Sequence, residues 1–170
     1  MKTYRIKISG KELIMDACNE RTMATSGKNK PELIPTECYL HRDDRGIVFM
    51  PNIMVAFCLK EGAGRIVERG RTTYKKTLLG RISIEPAQIH LEPQTWREFG
   101  RYVKRGDGLR VFKCNPLFEN WSIEFTLKTD DGLPSDTMRE ILETAGQVYG
   151  IGGFRVAGYG RFKIDKFLNV

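Results

Sequence analysis

Histidine is scarce in this chain: two residues in 170, His41 and His90. The four cysteines, Cys18, Cys38, Cys58 and Cys114, never form a Cys-x-x-Cys pair. These shortages exclude the usual structural-zinc spacing, and scattered thiols fit reduced cysteines in a cytosolic protein. No apolar run approaches the ~20 residues of a membrane-spanning helix. The first ten residues, MKTYRIKISG, alternate instead of forming the apolar centre of a signal peptide. Gly150-Ile151-Gly152 lacks the third glycine of a dinucleotide fingerprint and follows an expected helix, and Gly62-Ala63-Gly64 has no Gly-Lys-Ser/Thr after it. Asp43-Asp44 is flanked by Arg42 and Arg45, which offset its charge. Neither a metal nor a cofactor is therefore expected. Repeats, low-complexity tracts and domain boundaries are missing too.

Acid is also in short supply. Lys and Arg number 28 against 21 Asp and Glu, a net charge of +7 that favours an acidic partner, nucleic acid before membrane. The length suits a single domain with its own core. Tyr4, Ile6 and Ile8 alternate with Arg5 and Lys7, which is strand periodicity, with a bulge expected at Gly10. Residues 17–36 are polar, with a loop signal at 26–31, and a hairpin is expected around 42–46. Pro51 opens a helix over the apolar residues 53–59, which Gly62 and Gly64 are expected to stop. A strand over 78–91 should kink near Pro86. Trp96, Phe99, Gly100 and Val103 fit one face of a short helix, followed by a turn at 106–108. Trp121, Ile123, Phe125 and Leu127 mark a half-buried strand, and Ser135 is placed to cap a helix carrying Met138, Ile141, Leu142, Ala145 and Val148. Tyr159 to Phe167 is the last strand.

This order, strand, helix, strand, strand, helix, strand, is that of the α+β ferredoxin-like (βαββαβ) fold. It predicts an antiparallel sheet with two helices on one face and the other face free to bind. One domain over 1–170 is expected, with insertions near 17–50, 63–77 and 93–117.

The stretch richest in chemical meaning is Gly150-Ile-Gly-Gly-Phe-Arg-Val-Ala-Gly-Tyr-Gly160. Two Gly-x-Gly clamps, Gly150/Gly152 and Gly158/Gly160, permit positive φ and close approach to the main chain. Successive backbone N–H groups there would make an anion site, and Arg155 and Arg161 would add guanidinium forks suited to phosphate. Two further basic stretches extend the expected interface. Residues 65–81 hold Arg65, Arg69, Arg71, Lys75, Lys76 and Arg81 against one acid, Glu68; residues 96–113 interleave Trp96, Phe99 and Tyr102 with Arg97, Arg101, Lys104 and Arg105. Rings among cations suit stacking on unpaired bases.

The Gly-x-Gly-x5-Gly-x-Gly loop leading into GYGRFKI, together with the proline-then-apolar element FMPNIMVAFCLKEGAG, resembles the RAMP superfamily. These are the repeat-associated RNA-binding proteins of CRISPR systems. The wording is closest to the branch of subunits that coat a guide RNA. Where that branch carries serine-arginine before the last glycine pair, this chain has Val156-Ala157. The resemblance implies RNA held by the glycine loop, with single-stranded or guide RNA as the partner. CRISPR effector subunits or a second copy of the chain are further implied partners. The cleaving branch of the family uses a histidine on a ribose 2′-hydroxyl, which makes His41, in Tyr39-Leu40-His41-Arg42, the candidate for a metal-independent endoribonuclease; His90 reads as structural. A non-enzymatic binder is the leading expectation. An effector-subunit mimic from a mobile element is a third.

Overall fold

The structure, a computed structural model, describes residues 1–17, 35–104 and 108–170. Cys18, the loop signal at 26–31, Arg105 and the Gly106-Asp107 turn lie outside the described residues. The chain is α+β and mostly strand. Its main elements are β1 (Lys2–Ile14), β2 (His41–Arg42), β3 (Val48–Pro51), α1 (Asn52–Ala63), β4 (Val67–Arg69) and β5 (Thr72–Thr73). They continue with β6 (Ile82–Glu85), β7 (Gln88–His90), β8 (Arg97–Lys104), β9 (Arg110–Thr129), α2 (Ser135–Thr144) and β10 (Lys163–Asn169).

The main sheet runs β10-β1-β9-β6 with every pairing antiparallel, and β8 joins it along the first half of β9. Alternation explains its faces. Tyr4, Ile6 and Ile8 of β1, Ile84 of β6, and Ile123, Phe125 and Leu127 of β9 are all buried. They share one core with Val55 and Leu59 of α1 and Met138, Ile141 and Leu142 of α2. Fully burying such a side chain stabilises the fold by about 1.5–3 kcal/mol. A smaller sheet, β2-β3-β7, contributes Val48, Met50 and Ile89 to the same core.

Several local readings change. Gly62 does not stop α1: it is buried inside it, and a Cβ there would lie 2.6 Å from the Ile141 carbonyl oxygen and 2.8 Å from the Ala145 Cβ. Gly62 is thus where the two helices touch. Nor is α1 buried all round, for Ile53 and Phe57, one turn apart, are half exposed. Gly10 does not bulge β1. Its Cβ would meet the Trp121 ring and the Arg161 carbonyl, so glycine there admits a neighbour while β1 keeps its register on β9. The strand expected over 78–91 breaks at Pro86: β6 pairs with β9 and β7 crosses to β3. Residues 97–104 form a strand rather than a helix. Ser135 makes no capping bond; its hydroxyl lies 2.6 Å from that of Tyr4. After α2 the chain widens into a π turn, Ala145–Tyr149, before Gly150.

Candidate nucleic-acid interface

All four glycines of the paired clamps adopt positive φ: 76° at Gly150, 80° at Gly152, 93° at Gly158 and 75° at Gly160. The root of the loop is closed by hydrogen bonds. Ile151 N–H donates to the Gly160 carbonyl at 2.9 Å, Gly160 N–H to Glu12 at 2.7 Å and Gly153 N–H to Ile14 at 2.7 Å. A Cβ at Gly160 would overlap the Ile151 carbonyl, and one at Gly152 the Ile14 carbonyl. The Gly150 carbonyl accepts from the buried Cys58 thiol at 3.1 Å, and burial pushes that thiol up to about 12. The loop is therefore seated on β1 and α1.

This seating changes the chemistry expected of the backbone. The N–H groups of Gly150, Ile151, Gly153, Ala157, Gly158 and Gly160 all donate to carbonyls of the chain itself. Those six are not available to an anion. What faces outward is the tip, Phe154 to Gly158. Arg155 and Val156 stand in solvent, Gly158 has nothing beside its Cβ position, and Phe154 is exposed with φ of 54°. Arg161 is half-buried and donates Nη1 to the Gln147 carbonyl at 2.9 Å. It borders a cavity of about 780 Å³ that Lys11, Glu12 and Lys163 also line.

The arm made by β8 and the first half of β9 comes to meet this tip. Strand alternation puts Phe99 and Arg101 on one face of the arm and Gly100 and Tyr102 on the other. Phe99 packs on Tyr159 with ring centroids 5.4 Å apart, and Tyr159 on Phe154 at 5.8 Å. The Arg101 guanidinium lies 4.4 Å over the Phe154 ring and 5.7 Å from that of Phe99. Burial lowers the Arg101 pKa from its usual value, with Asp16 acting in opposition. On the opposite face Tyr102 meets Phe112 edge-on at 5.2 Å, and the Phe112 ring fills the space where Gly100 lacks a side chain. Lys113 stands 4.9 Å over Tyr39. Two sequence stretches some 50 residues apart thus build one cluster of rings and a guanidinium.

The remaining cations divide sharply. Arg97 pairs with Glu119 at 3.3 Å and approaches Glu12 at 4.0 Å, Lys104 is exposed, and Trp96 turns toward the core. In the first basic stretch Lys75 pairs with Glu61 at 2.7 Å. Arg81 bridges Glu68 at 2.9 Å and Asp130 at 2.6 Å, and Arg65 lies 5.7 Å from the Tyr149 ring. Arg69, Arg71 and Lys76 are exposed. Along the β1 and second-half β9 pairing, the sheet face away from the helices bears Arg5, Lys7, Glu124 and Lys128; Lys128 pairs with Glu85 and Lys166 with Glu124.

His41 sits in the small sheet rather than in a flexible turn. Its Nε2 is 3.1 Å from the Ala17 carbonyl and its ring 5.8 Å from that of Phe49. Its neighbours in sequence are engaged: Tyr39 is buried, and Arg42 contacts Glu37 and the Gly46 carbonyl. His90 contacts Asp43 at 3.3 Å. That carboxyl is held below the usual range first by the Ile47 N–H, then by Arg45 and His90. Among the described residues no cluster of three metal-ligating side chains occurs, and no helix is long and apolar enough to cross a membrane.

Phe154 and Tyr159 were not among the residues singled out by sequence. The signal for them was an aromatic residue inside each half of the glycine motif. No family model matches the chain. No curated protein matches it either. Among solved structures it is similar to a chain in the cryo-EM structure of the type III-B Cmr-beta bound to cognate target RNA. The TM-score is 0.59 at 9% identity, over 99% of this chain and 60% of that one. This chain shares the fold of a Cmr-beta chain. It spans 60% of that chain's length.

Proposed function

We propose that this chain is a non-enzymatic RNA-binding protein of RAMP type, built on one ferredoxin-like unit and holding single-stranded or guide RNA. The observation that carries the reading is the convergence of the loop tip and the β8–β9 arm on Phe99, Arg101, Phe154 and Tyr159. Exposed rings beside cations are what sequence-tolerant single-strand binding needs. Three further observations support it: the order β10-β1-β9-β6 is last-first-third-second for the four core strands, the net charge is +7, and the Cmr-beta structure is bound to target RNA. The guide-coating branch of the family is the finer assignment, with other effector subunits or a second copy as protein partners.

In this reading Phe154 and its neighbouring rings stack bases. Arg155, Arg161 and Lys104 hold phosphates near the loop, and Arg69, Arg71 and Lys76 meet the strand further along. Gly150, Gly158 and Gly160 give their amides to the chain itself and, with Gly152, shape the loop. Lys75, Arg65 and Arg97 contribute field from within their pairs. The test is a mobility-shift series on single-stranded RNA. Contact with about five phosphates would lower affinity roughly 100-fold between about 50 and 200 mM salt. No shifted band even at the lowest salt would overturn the proposal.

A further inference from the structure

We propose that Arg101 reads a guanine base, a specificity that rests on the RNA-binding reading above. The argument begins with donors. A guanidinium carries five N–H groups in a rigid plane. Among the described residues Arg101 makes one hydrogen bond, a long one of 3.4 Å from Nη1 to Asn115 Oδ1, and its Nε is buried with no partner. It forms no ion pair with any described carboxylate. Arginine seldom gives up water without a partner, because its donors must be satisfied when buried. Here a half-buried guanidinium is left short of acceptors.

Its orientation is nonetheless fixed. The Phe154 ring lies 4.4 Å from Cζ on one side and Phe99 lies 5.7 Å away. Asn115, the one acceptor, is itself pinned by its amide nitrogen donating to the Met15 carbonyl at 2.9 Å. Phe154 reaches this position at φ of 54°. For a bulky side chain that region costs about 1–2 kcal/mol. The fold thus tolerates a strained residue whose ring ends against an under-satisfied arginine, a pattern typical of sites held ready for a ligand.

Phosphate is the simpler acceptor, and the exposed cations suit it better: Arg155 on the tip and Lys104 and Arg110 on the arm. A guanidinium sunk between rings is instead poised to meet a flat partner edge-on. The exposed ring beside it, Phe154, backed by Tyr159 and Phe99, is placed to stack the same base. Guanine is the base whose O6 and N7 present two adjacent acceptors to such a fork. Adenine offers N7 beside a donor, and uracil places its N3–H between two carbonyls; cytosine offers O2 and N3, so a decamer with one central cytidine is the control, and it should bind more weakly than the guanosine one.

The experiment compares a uridine decamer with the same decamer carrying one central guanosine, by fluorescence anisotropy at fixed salt. Guanosine should tighten binding about 5- to 150-fold. Inosine, which retains O6 and N7, should keep that gain, and 7-deazaguanosine should lose it. Arg101→Lys keeps the charge and removes the fork. It should abolish the preference, so that the two decamers bind equally whatever their absolute affinity, and an unchanged circular-dichroism melt should show that the variant folds. Equal binding of both decamers, or a preference that survives Arg101→Lys, overturns the guanine assignment and leaves RNA binding standing. Absence of any binding overturns both.

Discussion

The two basic stretches of this chain have similar cation content and opposite fates. In residues 65–81 cations meet acids: Arg81 lies between Glu68 and Asp130, and Lys75 lies on Glu61. In the arm and glycine loop the central cation meets rings, Arg101 over Phe154 and Phe99. An acid-paired cation already has its charge answered within the fold. A ring-backed cation is held in place with its hydrogen-bonding edge still unfulfilled. Net charge alone therefore points to a polyanion without locating it; what stands next to each cation does the locating.

The largest effect should come from the glycine that seats the second region. Gly160 and Gly70 both have positive φ, 75° and 58°, but a Cβ at Gly160 would overlap the Ile151 carbonyl while one at Gly70 meets nothing within 4 Å. Gly160→Ala should cost roughly 3 kcal/mol or more, combining backbone strain with a collision. Gly70→Ala should cost about 1 kcal/mol from strain alone. Melting temperatures would fall by about 6–12 °C and about 2–4 °C respectively. RNA binding should suffer only in the first variant. Equal melting points would show that the loop is not seated as described.

A second contrast separates stacking from charge. Phe154→Ala removes an exposed ring, so single-stranded RNA affinity should drop about 5- to 150-fold. Its salt slope should barely change, since no phosphate contact is lost. The double variant Arg69→Ala with Arg71→Ala should weaken binding only a few-fold near 0.1 M salt and reduce the slope by about 1.4, or ~0.7 per contact. Titrations at three salt concentrations distinguish these outcomes. If the arginine pair proves the costlier loss, the first stretch rather than the loop is the principal contact.

The parts of this arrangement readable in sequence were those written in a clean period or in glycine. Tyr4, Ile6 and Ile8 and the run Trp121 to Leu127 alternate strictly and form core strands; all four clamp glycines take the positive φ their spacing implied. The arm was not readable because its inward face contains an arginine. With Phe99, Arg101 and Val103 on one side, β8 shows no apolar alternation, and Trp96, Phe99, Gly100 and Val103 match a helical stripe by coincidence. Gly62 looked like a stop because sequence does not show that Ile141 and Ala145 lie against it. The anion-nest reading is narrowed for the same reason: the carbonyls of Ala145, Glu12 and Ile14, two of the three far away in sequence, take the amides of Gly150, Gly160 and Gly153.

The smallest expected effect tests the claim that the first stretch is answered internally. Asp130 is held below the usual 3.8 first by its hydrogen bond from Arg81, and that bond in turn raises the Arg81 pKa. A carboxyl with a depressed folded-state pKa adds stability that is present above its unfolded value and is lost as pH falls through the folded value. Asp130→Asn should therefore melt a degree or more below the parent near pH 6, and the two curves should converge as pH falls through the depressed pKa of Asp130. Asp130 is exposed enough for added salt to shrink the gap. Loss of the Arg81 partner should not change RNA affinity beyond about 2-fold, since Arg81 works within the fold rather than on the strand. A parent and variant that keep the same separation throughout the acid titration would show that Arg81 and Asp130 are not coupled in solution. A large gain in RNA affinity on freeing Arg81 would show instead that its pairing holds back a contact the strand could otherwise use.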